Sequence, residues 1–437
     1  MSPSSASIVE NARFNSTVIV PNALQGLFRR RRAAVRAATA ADVDGWAVGL
    51  LAGMRDKHSG GPVWVRVMTD RALLLLTPAD AHRALEGSPD PFAPDPDGKR
   101  KGMVAFQPDA LTISRGDEWR NRREFTEAVL ETGAPMHGLA DGFAATAREE
   151  AGALVGETAG ELTWDEWQRA FRRLARRVIL GDAARDDDEL TGELAAMMDE
   201  ANGMPGRTSE RYTDFVERLV EYVNAADEGA LVGLFDGAPS DERTKREGQV
   251  PHWLFATHDT LAINSFRALA AILSHPRQRG KALDEIGGLD EHADGSQIEA
   301  LTYLEACLQE AMRLWPTTPM LSRVTLSDTD WQGETVPVGT QVLIVNTFFH
   351  RDRERLDYAN SFLPEAWIDG DAAERWEFNH FSRGPQRCPG TGLALFCGKA
   401  MLASLLRAAD VEVTSPLDPD RPMPHMLDFY SLRFRLG

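Results

Sequence analysis

The sequence predicts a mainly α-helical protein with a minor β portion. Between residues 110 and 314, apolar residues recur at spacings of three and four, which is the period of helices with one buried face. Strand-like runs are few and short, and the clearest lie at residues 63–68, 73–76 and 336–345. The length of 437 residues alone predicts about two or three domains, but no stretch reads as a long flexible linker.

The composition is globular and acidic. The chain has 48 Lys and Arg against 66 Asp and Glu, a net charge of −18, which argues against a general binder of nucleic acid or anionic membranes. The three cysteines, Cys307, Cys388 and Cys397, are too few for a disulfide framework and indicate a reducing compartment. No apolar run approaches the roughly 20 residues that span a bilayer, and the start of the chain lacks a signal-peptide pattern. We therefore expect a cytoplasmic protein without a membrane anchor.

Residues 251–274 are predicted to form a buried central helix, because apolar side chains lie on nearly every face of this segment. Thr257, His258, Asp259 and Thr260 stand in its middle. Burial of an ionisable group and two hydroxyls is costly unless they are hydrogen-bonded or functional. The segment alone leaves open whether Asp259 and His258 lie inside the protein or on a solvated edge.

Residues 297–315 are predicted to form an amphipathic helix that ends before Pro316. Its apolar residues share one face at about 100° per residue. Glu310 and Arg313 project from the opposite side, so the pattern by itself predicts a solvent-facing ion pair.

The segment FSRGPQRCPG, residues 381–390, is followed by an apolar helical stretch. Gly384 and Gly390 bracket a loop whose backbone can approach a flat ligand closely. Cys388 stands just before the predicted helix, whose N-terminus favours a thiolate, and the flanking arginines act in the same direction. Such a thiolate suits a nucleophile, a redox thiol or an iron ligand, whereas the lack of a second cysteine at CxxC spacing disfavours zinc. The alternative is a cysteine packed as a small hydrophobic residue.

The loop FSRGPQRCPG resembles the haem-binding loop of the cytochrome P-450 superfamily, in which a cysteine thiolate is the axial ligand of iron. The resemblance implies that Cys388 binds the iron of haem b, that Phe381 packs near its sulfur, and that Gly384 and Gly390 shape the loop. Gln386 departs from the family, which usually has Arg or His there to contact a haem propionate.

The middle of the central helix resembles the oxygen-binding motif of the same family. The resemblance places Ala256 against the haem and Thr257 at a position that is usually glycine. It implies that Thr260 holds dioxygen and ordered water, while Asp259 relays protons from solvent. His258 is interpreted as a structural residue.

The resemblance also implies a buried structural ion pair, called the brace below, and the residues that contact the haem propionates. It implies that Glu310 and Arg313 form a buried structural pair, whose usual third member is an arginine where this chain has Ala366. The brace is then incomplete or is completed by another residue. Trp119 and Arg123 are implied at one propionate, and Arg323 at the other.

These motifs follow the family order from Trp119 to Gly390 and converge on one cofactor. The resemblance therefore implies a single large domain over residues 1–437, with a short mobile extension at about residues 1–20, and a monomer.

The resemblance implies a haem-thiolate monooxygenase of the soluble bacterial type that oxidises a lipophilic small molecule with O2, as in secondary-metabolite biosynthesis. Electrons would pass from NAD(P)H through a separate reductase and a ferredoxin or flavodoxin. Arg120 and Arg122, with Arg387 and Lys399, are the predicted basic docking patch for that partner.

The position in the family fold predicts a mostly apolar substrate pocket. Its predicted lining is Phe106, Leu111, Phe255, Ala256, Thr318, Met320, Leu321, Leu427 and Phe429.

Three alternatives stay open. A peroxygenase is disfavoured because that subgroup lacks the acid and alcohol pair that Asp259 and Thr260 supply. Coupling or isomerisation on the same fold is not distinguished by sequence. A haem-based sensor without catalysis is the alternative from another class, and it would need neither the proton relay nor a large apolar pocket.

Overall fold

The computed structural model describes residues 3–203 and 205–437 of the chain. Helices dominate, and short strands lie near both ends of the chain, so the expected mainly helical class with a minor β portion is confirmed. The helices of the first half are α1 Ile8–Phe14, α2 Val20–Gln25, α3 Arg32–Ala40, α4 Val43–Lys57, α5 Pro78–Glu86, α6 Asp97–Met103, α7 Gly116–Val129, α8 Ala140–Glu157 and α9 Trp164–Leu180.

The second half is also mostly helical. Its helices are α10 Asp188–Gly203, α11 Tyr212–Ala225, α12 Val250–Phe255, α13 Ala262–Ser274, α14 Pro276–Gly287, α15 Gly295–Glu299, α16 Thr302–Leu314, α17 Asn346–Phe349 and α18 Thr391–Ala408. Helices α12 and α13 are joined by the π-helical turn Ala256–Leu261 into one continuous central helix, as the apolar pattern predicts.

The larger sheet joins strands from both ends of the chain. Its strands are β1 Ser4–Ser5, β2 Val63–Val67, β3 Asp70–Leu75, β4 Phe92–Ala93, β6 Met320–Thr325 and β9 Gln341–Val345, in the order β1-β2-β3-β9-β6-β4. The smaller sheets are formed by β5 Glu161–Leu162, β10 Val411–Val413 and β11 Phe434–Leu436, and by β7 Thr329–Trp331 and β8 Glu334–Val336. Strand β6 pairs antiparallel with β9, which sets Arg323 opposite Val342.

The start of the chain is part of the fold. The mobile extension expected at about residues 1–20 stays a prediction; within this segment, β1 pairs in parallel with β2 and aligns Ser4 with Val63. Helix α1 begins with a capping box between Ser7 and Glu10. The side chain of Phe14 at its end is fully buried.

Helix α18 follows the cysteine loop and runs through the core. Within the described residues, it is the one helix long and apolar enough to cross a membrane by length and composition. However, 61% of it is buried inside the protein, where it packs against α8 and α16. Burial on that scale is typical of a core helix, which accounts for its apolar composition.

A buried ion pair connects α16 to the chain that leads into the cysteine loop. Glu310 and Arg313 are both fully buried, and two N–H groups of the guanidinium meet the two carboxylate oxygens at 2.7 Å. The solvent-facing arrangement predicted from the helical pattern is therefore wrong. Arg313 also donates to the carbonyl oxygens of His350 at 2.7 Å and Ser361 at 3.0 Å.

Trp367 takes the place of the missing third arginine. Its indole N–H donates to Glu310 Oε2 at 2.8 Å, and the backbone N–H of Leu363 donates to Oε1 at 2.9 Å. Ala366, where the family arginine would stand, is buried beside it. A neutral donor and a backbone amide therefore complete the brace without a second cation.

We expect Trp367→Phe to lower the free energy of unfolding by about 1.5–3 kcal/mol, because a buried carboxylate would lose one of its hydrogen-bond donors. Urea denaturation would measure the change. Trp46→Phe is the matched control, since Trp46 is 67% exposed and should change stability by less than about 0.5 kcal/mol. Equal stabilities of the two variants would contradict the role given to Trp367.

Candidate functional site

A cavity of about 940 Å³ lies between the central helix and the cysteine loop. Its volume is at the upper end for ligand pockets, so it can hold a large flat ligand together with a second small molecule. Of the predicted site residues, the cavity is lined by Arg123, Ala256, Asp259, Thr260, Arg323, Phe381, Gln386, Cys388 and Gly390.

Backbone hydrogen bonds hold the cysteine loop in place. The N–H of Cys388 donates to the carbonyl of Phe381 at 2.8 Å, and the Thr391 hydroxyl donates to the carbonyl of Cys388 at 2.7 Å. Gly384 has a φ of 65°, and a Cβ there would lie 2.5 Å from the carbonyl oxygen of Leu85. Only glycine fits this position. A Cβ at Gly390 would lie 3.6 Å from the side chain of Leu130, which is an ordinary contact distance within the protein, and its role at a flat ligand stays a prediction.

The thiol of Cys388 lies in the cavity wall. Burial raises the pKa of this thiol, although the N–H of Gly390 and the charges of Arg123 and Arg387 act to lower it. The helix end and the arginines therefore do not by themselves produce the expected thiolate. Cys388 is the residue that would hold the iron, and the positive charge of the metal would favour the thiolate form of its sulfur.

Two basic side chains in the cavity wall, one buried and one half-buried, have only neutral hydrogen-bond partners. Arg323 is 3% exposed and donates to the hydroxyls of Ser88 and Ser382, both at 3.0 Å, and burial lowers its pKa to about 10. The ammonium group of Lys99 donates to Thr112 Oγ1 at 2.6 Å, and burial lowers its pKa to about 7. Sequence reasoning missed Lys99, since it stands in a charged turn that reads as surface. Buried cations without carboxylates favour an anionic ligand.

The predicted contacts for the first propionate are only partly in place. Arg123 lines the cavity, but it is paired with Glu127 at 2.6 Å and donates to the carbonyl of Arg387 at 2.8 Å. Trp119 is not among the lining residues, yet its indole N–H is buried without a hydrogen-bond partner, as is the amide nitrogen of Gln386. Orphaned buried donors of this kind are satisfied when an anionic group binds beside them.

The groups around the cavity can be compared with those that haem requires. The donors comprise a thiol able to bind iron, the cations Arg323 and Lys99, and the free N–H donors of Trp119 and Gln386. Haem needs an axial ligand for its iron, a large apolar slot and cationic or N–H partners for two propionates. The residues present therefore fit haem.

The acid and the alcohol of the central helix face the same cavity. Both lie in the π-helical turn Ala256–Leu261, which widens the helix at this point. The Thr257 hydroxyl bonds back to the carbonyl of Trp253 at 2.9 Å, while Asp259 and Thr260 line the cavity.

Asp259 lies in a polar network that sequence reasoning missed. Its Oδ1 accepts the amide N–H of Gln168 on α9 at 2.6 Å, and the ring nitrogen of His258 lies 3.6 Å away. Burial raises the pKa of Asp259, but His258, Arg172 and Gln168 together lower it below the ordinary value. Gln168 and Arg172 are four residues apart on one face of α9, but nothing in that spacing points to Asp259.

His258 is fully buried, so the solvated-edge alternative for this segment is wrong. Both of its ring nitrogens lack a hydrogen-bond partner within normal distance. Its position beside Asp259 makes it part of the surroundings of the acid rather than a separate structural contact.

Most of the predicted substrate-pocket residues line the cavity, namely Leu111, Phe255, Ala256, Thr318, Met320, Leu321 and Phe429. Phe106 and Leu427 are not among the lining residues. Phe106 is fully buried in the core behind Phe255, with the two rings packed edge to face at 6.1 Å. Leu427 is buried as well, and its carbonyl accepts a hydrogen bond from Arg267.

Two of the four residues of the predicted basic docking patch are buried, whereas Arg120 and Arg387 are exposed. Arg122 is 5% exposed and donates to Ser114 at 2.7 Å, and Lys399 is fully buried against Glu299 and Glu305. Arg120 remains on the surface, paired with Asp117. Charged residues on a helix can face inward when acids or hydroxyls on neighbouring elements receive them, which the helical pattern alone does not reveal.

Comparison with known proteins agrees with the fold. Residues 236–432 match the family described as cytochrome P-450. The chain is 26% identical over 236 residues to cytochrome P-450 4c3 of Drosophila melanogaster, an alignment that covers 51% of this chain and 42% of that protein. It is 31% identical over 224 residues to a xanthotoxin 5-hydroxylase of Arabidopsis thaliana, covering 49% and 41%, and 28% identical over 227 residues to an iridoid oxidase of Catharanthus roseus, covering 50% and 42%.

The fold, the cysteine loop and these similarities define one class. Residues 236–432, which include the cysteine loop, match the cytochrome P-450 superfamily, whose members bind haem through a cysteine thiolate. The alignments span about two fifths of the length of these curated relatives.

We expect the stability that Asp259 contributes to disappear in acid. The surrounding donors and charges lower its pKa in the folded chain, so its ionised form stabilises the fold above the unfolded-state value of about 3.9. The difference in unfolding free energy between wild type and Asp259→Asn should therefore shrink as the pH falls below about 4. Urea denaturation from neutral to acid pH would measure it.

Gln168→Leu is the companion variant for that measurement, since it removes the amide donor but keeps the acid. It should shift the loss of stability toward higher pH than in wild type. A difference between wild type and Asp259→Asn that stays constant over the whole range would contradict the network.

Proposed function

We propose that this chain is a haem-thiolate monooxygenase. The observation that carries the proposal is that one apolar cavity brings together the thiol of Cys388, the acid and alcohol pair Asp259 and Thr260, and the buried cation Arg323. An apolar slot alone would suit many ligands, and a thiol alone would suit many reactions. Their combination with a proton-delivering pair is typical of dioxygen chemistry at iron.

Cys388 would hold the iron of haem b, and Arg323, Trp119 and Gln386 would receive the propionates. When bound, haem supplies the activation of dioxygen that no side chain can provide. The net reaction inserts one oxygen atom into a C–H bond of the substrate and releases the other as water, and it consumes two electrons and two protons. The protein must therefore position the substrate, exclude bulk water and meter protons.

The proton path begins at Asp259. His258, the positive charge of Arg172 and the Gln168 amide lower the pKa of this carboxylate against the effect of burial, and the Gln168 amide orients it. Thr260 is the neighbouring residue toward the cavity, and its hydroxyl can both accept and donate a hydrogen bond. We propose that Asp259 takes up protons from the solvent side and that Thr260 delivers them inside the cavity.

The remaining parts of the proposal concern substrate, electrons and location. The mostly apolar lining around Phe255, Met320 and Leu321 supports a lipophilic small molecule, and the plant relatives support a secondary metabolite. We propose that a separate reductase and a ferredoxin or flavodoxin pass electrons from NAD(P)H, and that the chain acts as a monomeric single domain. All three cysteines are free thiols, which supports a cytoplasmic location.

We expect the reduced carbon monoxide complex of the haem-loaded protein to show the red-shifted absorption band of thiolate ligation. Cys388→Ser should lose this band, because an alcohol does not supply the same electron-rich ligand. Cys307→Ala is the control, since Cys307 is buried in the core away from the cavity lining, and it should keep the band. A wild-type spectrum without the band would refute the proposal.

We expect Thr260→Ala to consume electrons without forming product, because dioxygen would lose its proton donor. Most of the electrons should appear as hydrogen peroxide, measured against NAD(P)H oxidised with a substrate that the wild type turns over. Thr146→Ala on α8 is the matched helical control, since the Thr146 hydroxyl bonds only to the carbonyl of Gly142. Unchanged product yield per electron in Thr260→Ala would remove Thr260 from the relay.

A further inference from the structure

One end of the cavity is polar and carries an arginine without an acid partner. Arg30, in the loop between α2 and α3, lines the cavity. It donates to the carbonyl oxygens of Thr317 at 3.1 Å and Gly26 at 3.2 Å. No carboxylate of the described residues lies within 4.0 Å of its guanidinium. Two of its five N–H donors are thus engaged with neutral oxygens, and the others are available to a ligand.

Two other arginines of this loop have acid partners. Arg29 is paired with Asp199, and Arg32 with Asp165 at 2.6 Å. Arg31 has no acid partner among the described residues, but it is exposed and donates to the carbonyl oxygens of Leu24 and Asn202. Arg30 is therefore the more buried of the two arginines that the loop leaves without a carboxylate.

A second unpartnered group stands beside Arg30. Asn264 of α13 is 5% exposed and lines the cavity, and its Oδ1 has no hydrogen-bond partner. Its Nδ2 lies 3.5 Å from the hydroxyl of Thr317, the residue whose carbonyl receives Arg30. Arg30 and Asn264 therefore both contact Thr317 and lie in the same corner of the cavity. The buried Oδ1 of Asn264 is an acceptor that a donor group of a ligand can satisfy.

The Arg30 loop is anchored in this position. The Tyr430 hydroxyl donates to the carbonyl of Arg30 at 2.7 Å, and burial raises the pKa of Tyr430 to about 12, which keeps the hydroxyl protonated as a donor. The adjoining wall is apolar and includes Ile263, Met320 and Leu321. A ligand that matches the corner and the wall has a charged head and a lipophilic body.

We propose that the substrate is a lipophilic carboxylate whose head binds Arg30 and whose hydroxyl or N–H group, next to the carboxylate, donates to Asn264. This inference rests on the proposed function and names its substrate class. The planar guanidinium matches the two oxygens of a carboxylate, and the amide oxygen selects a donor at the adjacent carbon. The lipophilic body lies along Met320 and Leu321.

The test compares probes of one chain length on the haem-loaded protein. Dodecanoate, 2-hydroxydodecanoate and dodecanol are titrated by calorimetry and by the shift of the haem absorption band. Dodecanoate should bind at least about tenfold more tightly than dodecanol, because hydrogen bonds between charged groups are stronger than those of a neutral alcohol. The 2-hydroxy acid should bind more tightly still.

Variants separate recognition from folding. Arg30→Gln should remove the preference for the carboxylate and leave dodecanol binding unchanged, whereas Arg30→Lys should keep part of it. Asn264→Leu should remove only the gain from the 2-hydroxyl group. Arg36→Gln, an exposed arginine on α3, is the matched control and should bind all three probes as wild type does.

Equal binding of dodecanoate and dodecanol to wild type would overturn the inference. An equal loss for both probes in Arg30→Gln would also overturn it, since Arg30 would then serve only to hold the loop. The carbon monoxide spectrum of the same preparations reports on the proposed function separately. A normal thiolate band without carboxylate preference refutes the substrate class alone, whereas absence of the band in wild type refutes the haem-thiolate function.

Discussion

The buried ion pair of Glu310 and Arg313 is the interaction on which the position of the cysteine loop depends. Two opposite charges without solvent are tolerated because almost every remaining donor and acceptor is used, by Trp367 and by the carbonyls of the chain segment that follows. The carbonyl of Arg313 is hydrogen-bonded to His350, whose other ring nitrogen accepts the backbone N–H of Asn379, just before the loop. Burial lowers the pKa of His350 to about 3, so the ring is neutral and can both donate and accept. The brace thus reaches the loop through hydrogen bonds.

The cavity that this brace supports contains charges that the chain does not balance by itself. Arg323 and Lys99 have neutral partners, and Arg30 at the other polar end lacks a carboxylate. Burial of such groups costs free energy because they lose their hydration. The interaction with a bound anion offsets that cost. Asp259 differs, because Gln168 and neighbouring positive charges stabilise its ionised form within the protein. The unbalanced cations therefore indicate binding sites for anionic ligands, whereas Asp259 is ionised without a ligand and can accept a proton.

Some structural features were predicted correctly from the sequence and others were not. The apolar pattern of residues 251–274 correctly predicted a buried helix, but not the π-helical turn Ala256–Leu261, because a change of hydrogen-bond period leaves no mark on composition. Arg122 and Lys399 were predicted on the surface, where lone charges usually lie. Both are buried, because Arg122 donates to the carbonyl of Arg243 and Lys399 pairs with Glu305, which are distant in sequence. The pairing of Ser4 with Val63 was not predicted either, because the two strands are distant in sequence.

The sequence by itself determined what depends on neighbouring residues: the helical class, the buried central helix, and a cysteine loop whose conformation requires Gly384. The order of its motifs also implied a single cofactor site. Tertiary structure alone decided which side chains meet, such as Trp367 on Glu310 and Gln168 on Asp259. Arg30 reaches the carbonyl of Thr317, 287 positions along the chain. These contacts depend on the packing of elements that are distant in sequence, and a local sequence pattern does not predict them.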